Sequence, residues 1–226
     1  MTNETDMNII LFDSSTEACT IALKVDNQLY HFHEIAPRKH NKLMLTEIDN
    51  LLTSSNLIIS DLDYIGYGLG PGSFVGVRLA AAITQGLAFP NETPVVGFSS
   101  MYAYAISAHI SYKKDKITVI KDAKMGDLYV GLYRYDQKLD MLMPIEEYAI
   151  KVDDFSVIHQ SDLYIGDGCA LVLDELEQDK VGNKLLYPIA KNMFPYVEHQ
   201  ILVGNYSDAL SQQPVYLQGT SNWKKL

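Results

Sequence analysis

The alternation of hydrophobic and polar positions along the first half of the chain predicts an α/β unit. A short apolar run that ends in Asp13 is typical of a buried strand, and the polar pair Asp26-Asn27 marks a hairpin turn between two further apolar segments. Strands are predicted at residues 8–13, 19–25, 28–35, 62–68 and 93–98. Helical apolar spacing predicts helices at residues 41–52, 73–89 and 99–110. The unit therefore begins with three antiparallel strands and continues with alternating helix and strand.

The second half of the chain repeats the opening pattern of the first. An apolar run ends in Asp122, a polar turn follows, and a second apolar arm returns as in a hairpin. Strands are predicted at residues 116–122, 127–135, 143–150 and 162–166, and helices at residues 169–177 and 189–198. Two such halves favour a duplicated unit, although two unrelated hairpins would produce the same local pattern.

Two units of this order describe the duplicated ribonuclease H-like, actin-like fold, an α/β architecture with two units around a cleft. We expect a first unit at residues 1–110 and a degenerate second unit at residues 111–226. The tail from about residue 205 is expected to pack back on the first unit.

The end of the first strand in each unit is the place where this architecture could carry chemistry. There the terminal aspartate faces the cleft, and its carboxylate can bind a hard cation such as magnesium. Asp13 with Ser14 and Ser15, and Asp122 in the second unit, are therefore candidates for a nucleotide and magnesium site.

Composition and charge exclude several classes of protein. Of 226 residues, 47% are hydrophobic and 20% are charged, which is not the composition of a disordered chain. The formal net charge is −10, and such an acidic surface repels phosphate, so the chain is a poor candidate for binding nucleic acid unaided. Cys19 and Cys169 are too few for a disulfide framework or a four-ligand zinc site, and both are expected to be buried.

No segment of the sequence is typical of a membrane span or a secretion signal. The longest weakly charged run, at residues 73–89, is shorter than the ~20 apolar residues that cross a bilayer. Residues 1–6 are polar and acidic, unlike the start of a signal peptide, and we expect them to be a frayed extension. A cytoplasmic protein with no membrane partner is therefore expected.

The glycine-rich segment at residues 68–76 follows a predicted strand and opens a predicted helix, as a phosphate-binding loop does. Its spacing fails the two common templates. No Lys-Ser or Lys-Thr pair follows Gly76, and Ser73 stands where a dinucleotide-binding loop has its third glycine. The favoured interpretation is structural, since glycine permits a sharp turn and close packing of backbone, and phosphate binding is the alternative.

The helix predicted at residues 73–89 is apolar on almost every side, with Arg78 as its single charge. A helix on one side of a sheet needs only one apolar stripe, so this helix has two faces to bury. Small residues, which allow close approach of another backbone, recur four apart at Gly76 and Ala80 and at Ala82 and Gly86. One hypothesis places a partner protein on the second face, and the other covers it with the first helix and the tail of the same chain.

Other groups that could carry chemistry are sparse. His31 and His33 share a strand face but lack a third ligand at suitable spacing, so solvated histidines are favoured over a zinc site. The sequence contains no G-x-S-x-G or H-E-x-x-H motif. The acidic cluster at residues 174–179 is expected to be a solvated helix end, and the role of the Trp223-Lys224-Lys225 tail is left open.

Several motifs in combination point to a known family. The most specific is the segment at residues 61–78 with Gln85-Gly86-Leu87-Ala88 after it. Further shared motifs lie at residues 12–19, at His40, at residues 122–129 and at residues 214–217. Together they resemble the TsaB (YeaZ) family, the bacterial partner subunits of the tRNA threonylcarbamoyladenosine machinery.

The resemblance implies the duplicated actin-like fold and a subunit without catalysis of its own. The catalytic paralogue, TsaD, carries a His-x-x-x-His pair that chelates its metal, and the corresponding positions here are Ser100 and Tyr104. Loss of both imidazoles implies that the chain has no metal and no cofactor of its own. ATP or ADP with magnesium remains a group that the complex could hold.

The resemblance also implies the partners. TsaD would bind directly, with the first two helices of this chain packing on the equivalent pair of TsaD as a four-helix bundle. TsaE would join through the complex, the product of TsaC would be the pathway input, and tRNA would be contacted only through the complex. A homodimer through the same helices could form without TsaD. The implied interface comprises Met44, Ile48, Leu51, Leu52, Phe74, Gly76, Val77, Arg78, Ala81, Ala82 and Gln85.

An enzyme in its own right is the alternative hypothesis. It would be an actin-fold ATPase or a small-molecule kinase that uses Asp13 and Asp122 with magnesium. The two aspartates favour it, and the lack of a recognisable adenine or phosphate loop argues against it. A glycoprotease, a label also attached to this family, lacks a nucleophile–base pair or a zinc set in this sequence.

Overall fold

The computed structural model of the chain describes residues 7–156, 161–211 and 213, and these form two compact units. The first unit contains residues 7–103 together with residues 187–211. The second unit contains residues 104–186.

The first unit is built on a five-stranded sheet in the order β3-β2-β1-β4-β5. Its strands are β1 (Ile9–Asp13), β2 (Ala18–Val25), β3 (Gln28–Ile35), β4 (Tyr64–Gly70) and β5 (Val95–Ser99). The first three strands are antiparallel, and β4 and β5 continue the sheet in parallel with β1. The helices of this half are α1 (His40–Ser54), α2 (Phe74–Ala88) and α3 (Ser100–Tyr112), of which α3 begins in the first unit and continues from residue 104 in the second. This is the element order that the hydrophobic pattern predicts, with ends that differ by two residues or fewer.

The core of the first unit explains why its strands and helices differ in exposure. β1 lies between two neighbouring strands and is buried along its whole length, whereas β3 is an edge strand and is largely exposed. Apolar residues of α1 and α2 pack on the sheet and join one hydrophobic cluster with it. Each helix therefore buries one stripe against the sheet of its own unit.

The second unit repeats the first in a shortened form. Its sheet has the order β8-β7-β6-β9, with β6 (Lys116–Lys124), β7 (Asp127–Asp136), β8 (Met141–Lys151) and β9 (Leu163–Ile165). The first three strands are antiparallel and β9 is parallel to β6, as β4 is to β1. The shared strand order confirms the predicted duplication and the ribonuclease H-like, actin-like fold.

The helix predicted at residues 169–177 is wrong. The segment forms short 3₁₀ turns at Asp167–Leu171 and Leu173–Glu175. Cys169, Val172 and Leu176 are buried, and a spacing of three or four residues suits a 3₁₀ turn as well as an α-helix. The apolar spacing alone therefore could not separate the two structures.

The last predicted helix begins later than expected. A 3₁₀ turn occupies Ala190–Met193, and α4 runs over Phe194–Leu202. Pro195 has no backbone N–H to donate, so it is tolerated in the first turn of a helix and not further inside. This position places the start of α4 at Phe194.

The predicted division at residue 110 is also corrected. Residues 187–204 belong to the first unit, where the Ala190 N–H donates to Thr20 Oγ1 at 3.0 Å. The described part of the predicted tail, from residue 205, pairs with the edge strand β5 through mutual backbone hydrogen bonds of Val95 and Ser207. Because β5 is the last strand of the sheet among the described residues, this chain segment satisfies backbone groups that the edge would otherwise leave open.

Three predictions fall outside the described residues: the frayed extension at 1–6, the packing of the tail beyond residue 213, and the role of the Trp223-Lys224-Lys225 segment. Among the described helices, none has both the length and the apolar character needed to cross a membrane.

Candidate functional site

Asp13 is a buried carboxylate at the carboxyl end of β1, with only 1% of its surface exposed. Its Oδ1 atom accepts hydrogen bonds from the backbone N–H of Ser15 at 2.8 Å and from the Ser15 hydroxyl at 2.7 Å. Its Oδ2 atom accepts a hydrogen bond from the Ser100 hydroxyl at 2.6 Å. Ser100 Oγ in turn accepts a hydrogen bond from the Gly70 N–H at 3.2 Å. We call Asp13, Ser15, Ser100 and Gly70 the Asp13 network.

The backbone of β4 closes this network on one side. A Cβ atom at Gly68 would lie 1.9 Å from Asp13 Oδ2 and 2.8 Å from Ser100 Oγ, so only glycine fits there. Magnesium favours octahedral oxygen ligands and usually keeps several waters. Asp13, with both oxygens enclosed and engaged by protein donors, does not fit the role of a magnesium ligand.

Burial raises the pKa of Asp13 above 3.8, and the hydrogen bonds from Ser100 and Ser15 oppose this shift only in part. The folded protein therefore binds this proton more tightly than the unfolded chain does. The resulting stabilisation is fully present below about pH 3.8 and is lost as the pH rises through the folded-state pKa.

We expect this loss of stability with rising pH to be absent in Asp13→Asn, because the side chain at position 13 then cannot titrate. The measurement is the free energy of unfolding by urea from pH 4 to 8 for both proteins. The difference, wild type minus variant, should fall with rising pH by up to about 1.4 kcal/mol per pH unit inside the titration window. A difference that rises with pH would mean that the pKa of Asp13 is lowered by folding, contrary to the effect of burial.

Ser14 and Ser15 pack against the start of α2 instead of lining an open loop. The Ser73 N–H donates to Ser15 O at 2.7 Å, and the Ser14 hydroxyl donates to Gly76 O at 2.9 Å. A Cβ atom would lie 1.9 Å from Ser14 O if placed at Gly76, and 2.5 Å from Ser15 O if placed at Gly72. The glycines thus permit close packing of backbone, which confirms the structural interpretation of the glycine-rich segment.

Asp122 occupies the corresponding place near the end of β6, the first strand of the second unit. Its carboxylate accepts the Lys124 N–H at 2.8 Å, which is the same two-residue turn that Asp13 makes with Ser15. The Lys124 ammonium also donates to Asp122 at 2.5 Å, and this hydrogen bond is the main reason that the pKa of Asp122 is lowered. The Lys124 ammonium therefore lies next to the Asp122 carboxylate, at the position where a metal cation could otherwise bind.

The residues of the predicted nucleotide site are each engaged by protein groups within their own unit. Asp13, Ser14 and Ser15 converge, but on protein groups of the first unit, and Asp122 is paired with Lys124 inside the second unit. Among residues 7–156, 161–211 and 213, no three His, Cys, Asp or Glu side chains are arranged to hold a metal ion.

Exposed residues of α2 lie on one side of the helix, which we call the α2 outer face. Three large apolar side chains belong to it, namely Phe74 (57% exposed), Val75 (74%) and, directly after the helix, Phe89 (61%). The other members are Arg78, Ala82, Gly86 and the half-buried Gln85. At 3.6 residues per turn these seven positions fall within about 120° of the helix circumference. The Arg78 guanidinium lies 3.5 Å from the centre of the Phe74 ring.

Six residues of the implied interface are buried in the first unit itself, so they cannot supply contact area to a partner in this conformation. They are Met44, Ile48, Leu52, Gly76, Val77 and Ala81. The single apolar stripe of α1 faces its own sheet, where it joins the core cluster, and Leu51 is half-buried beside it. In α2, Val77 and Ala81 are also buried, and Gly76 is covered by Ser14. Phe74, Arg78 and Ala82 are exposed, and Gln85 is half-buried.

Several residues of the site were missed by sequence reasoning. Val75 and Phe89 belong to the α2 outer face, and projecting the helix at 100° per residue would have found them. The link between Asp13 and Ser100 spans 87 positions and has no pattern in the sequence.

The remaining candidates have ordinary roles. His31 Nε2 lies 3.3 Å from Lys191 Nζ, and both His31 and His33 are exposed on the edge strand β3. Both cysteines are buried, as predicted, and burial raises the pKa of Cys19 and of Cys169 to about 12.

Comparison with known proteins gives the chain its relatives. The family model described as "TsaD: tRNA N6-adenosine threonylcarbamoyltransferase" matches residues 32–211. A protein of Haemophilus influenzae named tRNA threonylcarbamoyladenosine biosynthesis protein TsaB is 29% identical, with 98% of each chain covered. The protein of the same name from Escherichia coli is 29% identical, over 97% of this chain and 98% of the relative. Among solved structures, YeaZ from Pseudomonas aeruginosa superposes with a TM-score of 0.84 at 27% identity, over 93% of this chain and 100% of that one.

Proposed function

The chain belongs to the TsaB (YeaZ) family, a paralogue of TsaD, and we propose that it is a non-catalytic subunit that binds and activates TsaD. Its role lies in tRNA threonylcarbamoyladenosine biosynthesis, the process named for its relatives. Binding to TsaD and the absence of catalysis are the two parts of the proposal.

The observation that carries the proposal is the α2 outer face. Three large apolar side chains, including Phe74 and Phe89, are more than half exposed along one side of a single helix. Between them lie Ala82 and Gly86, whose small size lets a second helix approach closely. Large apolar side chains exposed on one side of a helix are costly in water and are typical of an interaction site. A helix pair of the paralogue TsaD, which shares the fold, is the partner that the family resemblance supports.

The lack of catalysis is supported by what replaces the imidazoles of TsaD. Ser100 stands at one of the two positions, and its hydroxyl is used to hold Asp13. Tyr104 stands at the other and is buried, with Lys121 Nζ 5.0 Å from its ring centre. A hydroxyl committed to a structural hydrogen bond and a buried phenol ring are poor substitutes for two neutral imidazole ligands. The ATPase or kinase alternative gains no support from Asp13, because its oxygens are both engaged.

The charge of the chain supports an indirect contact with tRNA. A net charge of −10 opposes association with a polyanion, so basic surfaces of the partner proteins would carry most of the tRNA contact. TsaE joins through the complex in this proposal, and the product of TsaC is the input. Two copies of the chain could pair through the α2 outer face when TsaD is absent.

Reconstitution of threonylcarbamoyl transfer to tRNA with purified TsaC, TsaD and TsaE tests the proposal. We expect modified tRNA when TsaD and this chain are both present, and none when the chain is offered in place of TsaD. Product formed without TsaD would contradict a non-catalytic role. Product formed at the same rate without the chain would contradict activation.

A further inference from the structure

The four-residue segment from Gly70 to Ser73 joins β4 to the docking helix α2, and both of its ends are tied to Asp13. At one end the Gly70 N–H donates to Ser100 Oγ at 3.2 Å, and the Ser100 hydroxyl donates to Asp13 Oδ2 at 2.6 Å. At the other end the Ser73 N–H donates to Ser15 O at 2.7 Å, and Ser15 is held by two hydrogen bonds to Asp13 Oδ1. One serine therefore mediates each connection.

Ser73 is the N-cap residue of α2, directly before its first helical residue. Its backbone carbonyl accepts the Val77 N–H at 2.9 Å, and its hydroxyl accepts the Gly76 N–H at 3.4 Å. The first two residues of the helix, Phe74 and Val75, carry the most N-terminal apolar part of the α2 outer face. The position of Ser73 thus sets where these two side chains point.

We propose that Asp13 is a positioning residue for partner binding: through Ser15 and Ser100 it fixes the segment that sets the start of α2 and the outer face used to bind TsaD. The inference rests on the proposed function. In this architecture the position of Asp13 is that of a nucleotide-site carboxylate. Here both of its oxygens accept hydrogen bonds from the protein, one from Ser15 and the other from Ser100. Its effect on TsaD is indirect, because the buried carboxylate touches no partner.

The helix body is held independently of the Asp13 network. Ala80, Thr84, Leu87 and Ala88 are buried, and the first, third and fourth of these belong to the core cluster. Loss of Asp13 should therefore leave α2 in place and loosen its first turn. Binding to TsaD should suffer more than the loss of stability alone would explain.

The test is the dissociation constant for purified TsaD, measured by titration calorimetry at a temperature where every variant is folded by circular dichroism. Asp13→Ala removes both arms, and we expect binding to weaken about tenfold or more, as loss of hydrogen bonds to a buried carboxylate implies. Asp13→Asn keeps an acceptor at Oδ1, and Ser100 Oγ can accept from the new amide, so binding should recover to within about threefold. Ser100→Ala removes only the Gly70 arm and should have an intermediate effect that is not additive with Asp13→Ala.

Val130→Ala is the matched control, since it leaves a cavity in the core cluster of the second unit without touching the Asp13 network. It should lower the melting temperature and leave the dissociation constant unchanged. Asp13→Ala that binds as tightly as wild type, or an Asp13→Asn variant as weak as Asp13→Ala, would overturn the positioning role. If Asp13→Ala fails to fold, Ser100→Ala decides alone: wild-type affinity overturns the proposal, and weaker binding with a folded helix supports it.

These outcomes separate the inference from the function on which it rests. Wild type that binds TsaD, together with an Asp13→Ala variant that binds equally well, overturns only the positioning role. Wild type that does not bind TsaD at all overturns both.

Discussion

Replacing Ala82 by arginine is expected to weaken the complex with TsaD at least about a hundredfold. Ala82 lies in the middle of the α2 outer face, between Arg78 and Gly86, where a partner helix must approach closely. A guanidinium at this point either holds the helices apart or is buried without an anion, and an unpaired buried charge costs several kcal/mol. Every 1.4 kcal/mol corresponds to about a tenfold change in affinity, so complex formation should fail at micromolar concentration.

The matched control for Ala82→Arg is Leu202→Arg, which adds the same charge at an exposed apolar residue at the end of α4. Both variants should keep the wild-type melting temperature, because neither site is buried. Co-purification and calorimetric titration with TsaD provide the measurement. Undiminished binding of Ala82→Arg would remove the α2 outer face from the interface, and an equal loss in both variants would indicate a general effect of charge.

Replacing Gly76 by alanine is expected to destabilise the first unit by about 3 kcal/mol or more, as overpacking against rigid backbone does. The added Cβ would lie 1.9 Å from Ser14 O and 3.0 Å from the Ser14 carbonyl carbon. These atoms cannot swing aside as a flexible side chain could, so the loop after β1 or the first turn of α2 must move. The measurement is the free energy of unfolding by urea, monitored by circular dichroism.

Gly86→Ala is the control for Gly76→Ala, because it lies in the same helix and its added Cβ meets nothing within 4 Å. Alanine has the higher helix propensity, so this variant should gain about 0.5–1 kcal/mol. Equal stability of the two alanine variants would contradict the close packing of Ser14 on α2.

Most strands were predictable because their side-chain alternation is determined by local burial. The prediction for β3 matches both ends of the strand. The polar pair that predicted the hairpin turn does form it, with Asp26 at the positive φ of 52° that suits a tight turn. The uninterrupted apolar run before Asp13 likewise indicates a buried strand, and β1 does lie between β2 and β4 in the sheet. Local pattern and local structure agree at these places.

The outer surfaces of the helices were predicted less well than the strands. Periodicity identifies which side of a helix is buried, but it does not show whether that side packs on the same chain or on a partner. The stripe of α1 that includes Met44 and Ile48 packs on its own sheet, although the family resemblance placed it against a partner. α1 buries its stripe in its own unit and exposes one large apolar residue, Leu45, whereas α2 still exposes Phe74 and Val75 after its inner side is buried.

Contacts between distant parts of the chain were not predictable from pattern. Ser100 was identified only as a position without a histidine, and its hydrogen bond to Asp13 emerges from the fold. Residues 187–211 follow the second unit in the sequence but belong to the first unit. No local sequence pattern indicates this return of the chain.

The most direct test of the central claim is photo-crosslinking from the α2 outer face. Phe89 is replaced by p-benzoyl-phenylalanine, a substitution close in shape, and the same residue at Leu202 serves as the control in an equimolar mixture with TsaD. We predict a covalent adduct with TsaD from position 89 and none from position 202, with the peptide of TsaD identified by mass spectrometry in a helix. A complex that forms without an adduct at position 89, or with one at position 202, would contradict docking through α2.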